Sequence, residues 1–119
     1  MKPLFLALFL PITAFCGVER QICRGPSMLP VLPEFSVQRV DTSPQAFNRI
    51  QLGSVVVFRD PSSPSGRTSH YVFEQRKPGV FWTRGYNRKV CRLPDRVYVT
   101  RENFVVLLLD VSVPVKARK

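Results

Sequence analysis

The sequence predicts a mainly β domain, a small coiled barrel of short strands behind a short hydrophobic N-terminal segment. Three observations predict it. Eleven prolines and six glycines in 119 residues demand frequent turns and oppose a helical bundle. The apolar residues fall in short β-branched and aromatic runs bounded by turn signals. The chain is long enough for one hydrophobic core, with no repeat and no domain boundary beyond about residue 17. Residues 1–16 are therefore set apart from a single domain over 17–119.

The elements follow in order. Residues 3–16 are apolar and uncharged and follow the lone Lys2. That length matches a signal-peptide core and falls short of the ~20 apolar residues of a spanning helix. Three readings stay open: a cleaved signal peptide, a short retained anchor, or a buried N-terminal strand. Cys16 invites lipidation, but Phe15 is too bulky for the small residue expected before a lipidated cysteine. Val37 to Val40 is a short strand, and Thr42 to Asn48 a loop turned at Ser43-Pro44. Gly53 opens the strand Val55-Val56-Val57-Phe58, and Asp60 to Gly66 is a loop. Tyr71-Val72-Phe73 and Val80-Phe81-Trp82-Thr83 form a hairpin around Lys77-Pro78-Gly79. Arg96 to Thr100 and Phe104 to Val113 complete the strands. Phe104 to Leu109 is continuously apolar, too short to cross a bilayer, and reads as a strand buried on both faces.

Composition removes several function classes. A single histidine, His70, excludes a multi-histidine metal site, and three cysteines without a C-x-x-C pair argue against structural zinc. No metal and no cofactor is expected. Neither glycine-rich phosphate-binding motif is present. Eighteen basic against eight acidic residues give a formal charge of +10. Lys116-Ala117-Arg118-Lys119 and the crowd of Arg84, Arg88, Lys89, Arg92 and Arg96 supply much of it. Three partners fit such a surface: water alone, anionic lipid headgroups, or nucleic acid. Nucleic acid is disfavoured, because no helix-turn-helix or base-stacking motif is present and an export signal would remove the chain from most of it. In an exported domain Cys23 and Cys91 would be able to oxidise together; two unpaired buried thiols is the alternative.

Two residues have the chemistry of a nucleophile and a base. In Gly25-Pro26-Ser27-Met28-Leu29-Pro30 a serine stands between prolines of fixed φ, with Gly25 permitting close backbone approach. Read alone, it is also an ordinary proline-rich turn. His70, in Thr68-Ser69-His70-Tyr71, closes a loop and opens a strand. A neutral imidazole is able to take a proton from a serine hydroxyl near pH 7. Their separation along the chain decides nothing, because such dyads assemble in space.

Taken together, four segments resemble the type I signal peptidases. Gly25-Pro26-Ser27-Met28-Leu29-Pro30 is similar to the nucleophile box G-x-S-M-x-P, in the form of mitochondrial inner-membrane peptidases. Leu52 to Pro61 resembles the G-D-[IV]-V-V-F strand, and Ser69-His70-Tyr71-Val72 falls where the family keeps its general base. Phe81-Trp82-Thr83-Arg84-Gly85-Tyr86-Asn87 resembles F-x-T-[KR]-G-D-N. The ordered set spans about residues 23–95. No lysine lies between Ser27 and Lys77, so the resemblance implies the histidine-type dyad of the endoplasmic-reticulum members, Ser27 with His70.

The resemblance implies a membrane-associated or exported serine endopeptidase, its catalytic domain on the outer side of the membrane. It would cleave signal or leader peptides from precursor proteins and, being compact, would have a specialised processing role. Gly25 stands where many relatives carry a second hydroxyl. Met28 would flank the substrate groove, and the Ser27 N–H would join the oxyanion hole. Three positions depart from the pattern: Val31 for threonine, Ser54 for aspartate, and Tyr86 for the aspartate of the last box. The last removes the carboxylate that supports the histidine. Asp95, in Leu93-Pro94-Asp95-Arg96, either replaces it or is a turn residue before the next strand. Two other readings remain: a degenerate peptide-binding module of the same fold, and a cationic nucleic-acid binder.

Overall fold

The computed structural model describes residues 18–22 and 25–116. Six strands, β1 (Val18–Ile22), β2 (Val37–Asp41), β3 (Ser54–Arg59), β4 (Arg67–Lys77), β5 (Val80–Arg84) and β6 (Phe104–Ser112), form one sheet in the order β1-β2-β6-β3-β4-β5. Every neighbouring pair is antiparallel. The mainly β class is as expected. Residues 1–16, with their targeting readings, lie outside the described residues.

The core has two sides because the central strands are apolar on both faces. On β3, Val55 and Val57 join Val40, Tyr71, Val106 and Leu108 on one side, covered by Met28 and Leu32. Val56 and Phe58 point the other way and pack with Val72, Phe81, Leu107 and Val99 under Ala46, Phe47 and Ile50. Strand alternation thus turns the uninterrupted run Val55 to Phe58 into two half-cores. Val106, Leu107 and Leu108 divide in the same way on β6. Gly53 allows this close packing. A β-carbon there would sit 2.2 Å from the Val113 carbonyl oxygen, and its φ is +91°.

The sheet is open rather than closed into the expected barrel. The reason lies at β5, whose outer edge is already occupied. Phe81 and Val99 exchange backbone hydrogen bonds of 3.0 and 2.8 Å, and the Asp95 amide donates to the Thr83 carbonyl at 2.9 Å. Residues 95–99 therefore cover the edge that a barrel would need to join to β1. Only the bridge at Val99 remains of the strand expected over Arg96 to Thr100. Two further differences are local. The loop expected at Thr42 to Asn48 runs into a 3-10 turn over Ala46–Arg49, and β4 runs well beyond Tyr71 to Phe73 on both sides.

Candidate active site

The expected nucleophile segment is a tight turn. The Leu29 amide donates to the Pro26 carbonyl at 3.1 Å, and Leu32 to Met28 at 2.9 Å. The turn is pinned by Met28, which is only 3% exposed and sits in the core. Met28 therefore belongs to the core, because a long apolar side chain beside Val55 and Val57 gains more from burial than from solvent. Ser27, the next residue back, points to a different environment. With Gly25, Gln21, Ile22, Val57 and residues 63–65 and 67–70 it lines a cavity of about 470 Å³. His70 lines the same cavity. The Ser27 hydroxyl and the His70 ring are not hydrogen-bonded to each other among the described residues, and such bonds are often long before a substrate arrives.

A second segment fastens this turn from outside. The Asn87 amide donates to the Ser27 carbonyl at 2.8 Å, and Asn87 Nδ2 to the Pro26 carbonyl at 3.0 Å. Gly85 is buried where these strands of chain cross. A β-carbon on it would lie 2.4 Å from Cys91 Sγ and 2.9 Å from the Ser27 carbonyl oxygen. Tyr86, which replaces an acid of the family pattern, turns outward and meets the Tyr71 ring edge-on at 6.1 Å.

A carboxylate does reach His70, that of Asp95. Register explains how. Within β4, His70 and Val72 share a face by alternation, and Val72 pairs with Thr83 on β5, so His70 and Thr83 stand side by side. The Asp95 amide bonds to the Thr83 carbonyl, which brings its carboxylate to the same spot. His70 Nδ1 lies 2.6 Å from Asp95 Oδ2, with the two side chains 8% and 16% exposed. Because a carboxylate oxygen only accepts, Nδ1 carries the hydrogen of this bond. In the neutral ring Nε2 is then left with its lone pair, as a general base requires.

Thr83 and Trp82 complete the surroundings of Asp95. Thr83 Oγ1 donates to Asp95 Oδ2 at 2.6 Å, and Trp82 Nε1 to the Asp95 carbonyl at 2.9 Å. Neither role was anticipated from the sequence. The available signal was alternation: Thr83 is two residues from Phe81, hence inward-facing, and a hydroxyl there needs a partner.

One wall of the cavity is the 60–66 loop. Its fold depends on buried Asp60, whose Oδ1 accepts from the Ser62 amide at 3.0 Å and hydroxyl at 2.6 Å, and whose Oδ2 accepts from Thr68 at 2.8 Å. Burial pushes this carboxyl upward, but the Ser62 and Thr68 hydrogen bonds outweigh it and hold it below its ordinary range. On the far side Cys91 carries a free thiol; Cys23, its partner in one of the two readings, lies outside the described residues. Burial, then the negative charge of Asp95, pushes the Cys91 thiol up, against a smaller opposite pull from Arg84.

No cluster of three metal-ligating side chains occurs among the described residues. No helix among them is long and apolar enough to cross a membrane. Comparison with family models, with curated proteins and with solved structures yields no match to this chain.

Proposed function

We propose that this protein is a serine endopeptidase that cleaves signal or leader peptides from exported precursors. The observation that carries the reading is the hydrogen bond of His70 to Asp95 at 2.6 Å, on a histidine that shares its cavity with Ser27. A hydroxyl and a histidine at one cavity, with a carboxylate hydrogen-bonded to that histidine, are the parts of acyl-transfer chemistry. The substrate class, and the placement of the domain on the outer side of the membrane, rest on the ordered resemblance of residues 23–95 to the type I signal peptidases.

In this reading His70 Nε2 takes the Ser27 proton as Oγ attacks the scissile carbonyl carbon. Asp95 stabilises the imidazolium and keeps the ring oriented. The Ser27 N–H, which donates to no carbonyl among the described residues, faces the developing oxyanion. Collapse of the tetrahedral intermediate passes the proton from Nε2 to the leaving amine. Water activated by the same nitrogen then releases the acyl group and restores Ser27. An extended substrate would add its main chain beside the cavity and be selected by small side chains near the scissile bond.

The test is incubation with precursors bearing signal peptides, followed by N-terminal sequencing of the products. Ser27→Ala and His70→Ala are expected to abolish cleavage with the fold intact. Asp95→Asn is expected to reduce kcat by roughly 10⁴-fold, as the loss of an orienting acid does in serine proteases. Cleavage by Ser27→Ala at the parent rate would overturn the proposal.

A further inference from the structure

We propose that Thr83 is a positioning residue of this site, acting on His70 through Asp95; the inference rests on the peptidase reading and deepens it. Thr83 is fully buried, at 0% exposure. Its hydroxyl donates at 2.6 Å to Oδ2 of Asp95, the same oxygen that receives His70 Nδ1 at 2.6 Å. Two donors therefore converge on one atom from two neighbouring strands. The remaining anchors of Asp95 are main-chain: its amide to the Thr83 carbonyl and its carbonyl to Trp82 Nε1, both at 2.9 Å. They place the backbone but leave rotation about the side-chain bonds unchecked. Thr83 Oγ1 is the group, besides His70 itself, that sets the rotation of the carboxyl among the described residues.

The choice of residue type fits this role. Threonine has few χ1 states, so its hydroxyl is held in direction by the β-branched stem. Thr83 pairs in the register with Val72, a member of the apolar half-core. Valine would fill the same space and fold onto the same neighbours. Only the hydroxyl is needed by Asp95.

Three variants test the inference: Thr83→Val, which removes the donor at constant shape; Thr83→Ser, which keeps it; and Thr83→Val combined with Asp95→Asn. Two readouts are taken, kinetics with a precursor and the far-downfield Nδ1–H proton resonance of His70 in a Ser27→Ala background. Thr83→Val is expected to lower kcat about tenfold with KM unchanged, equivalent to ~1.4 kcal/mol in the barrier. Its His70 resonance should broaden or move upfield, because the carboxyl no longer holds the Nδ1 hydrogen. Thr83→Ser should restore both. Adding Thr83→Val to Asp95→Asn should cost nothing further, since the same pathway is already broken. An unchanged resonance in Thr83→Val, or a fall in kcat matched by the loss of folded protein, overturns the inference. If the parent chain cleaves no precursor, the peptidase reading fails separately, and the resonance still reports whether Thr83 positions the Asp95–His70 pair.

Discussion

The Asn87 amide holds the Ser27 carbonyl at 2.8 Å, tying two segments that are remote in the sequence. The Asn87 side chain adds a bond from Nδ2 to the Pro26 carbonyl, while its Oδ1 accepts from the Lys89 amide at 3.1 Å. The position of Ser27 is thus set from outside its own turn.

Asn87→Ala keeps the amide bond and loses both side-chain bonds. At about 0.5–1.5 kcal/mol for a typical hydrogen bond, the thermal midpoint should fall by a few degrees. The larger effect should be on kcat, about tenfold, because the turn carrying Ser27 is freed to drift. Differential scanning calorimetry alongside precursor kinetics checks the split. A loss confined to stability would show that the anchor serves the fold alone.

Gly85→Ala is expected to be harsher. Its new methyl would collide with Cys91 Sγ at 2.4 Å and with the Ser27 carbonyl oxygen at 2.9 Å. The sulfur has some freedom to swing away, but the Cys91 β-carbon at 2.8 Å and the Ser27 carbonyl oxygen do not, so the backbone of the turn carrying Ser27 must shift. Overpacking of this kind costs about 1–3 kcal/mol. A displacement near 1 Å reduces catalysis about a hundredfold. Combining it with Cys91→Ala removes the sulfur but keeps a β-carbon 2.8 Å away, so it should recover only part of the stability and little of the activity; full recovery of both would show that the Ser27 contact is harmless.

Acid should loosen the 60–66 loop through Asp60. Its carboxyl is held below the unfolded value of about 3.9 by the Ser62 and Thr68 bonds. The stabilisation is therefore complete above that pH and is lost as pH falls through the lowered native value. Melting curves between pH 2 and 5 should show a steeper decline for the parent than for Asp60→Asn, with the two converging at the acid end. Parallel curves would contradict this.

Cys91 should be a slow thiol. Burial and the Asp95 charge disfavour its thiolate more than Arg84 favours it. In a Cys16→Ser, Cys23→Ser chain, iodoacetamide at pH 8 should label Cys91 more slowly than free cysteine. Asp95→Asn should quicken the labelling, and Arg84→Ala should slow it. The reverse order for these two variants would overturn the electrostatic account.

Much of the sheet was legible because its signals are local. Val55 to Phe58, the Lys77-Pro78-Gly79 turn and the apolar run from Phe104 all became elements near their expected limits. Strand β1 escaped, because Val18-Glu19-Arg20-Gln21-Ile22 is mostly exposed and takes its conformation from pairing with β2 rather than from burial. Closure of a barrel was misjudged for a related reason. Whether an edge is covered depends on where residues 95–99 return, and no local pattern records that. At the site, residue types pointed to Ser27, His70 and Asp95; His70 is hydrogen-bonded to Asp95 and lines one cavity with Ser27. Met28 went to the core, since a motif position states no side-chain direction. Thr83 and Asn87 stayed hidden, because their work is done through partners many residues away.

The Asn87 clasp also limits how this chemistry is able to be moved. Transplanting residues 25–30 alone onto a foreign scaffold would carry the alcohol but leave behind the clasp that aims it. A functioning graft has to import the stretch from Gly85 to Asp95 as well, so the smallest portable unit is two separated pieces of chain rather than one loop.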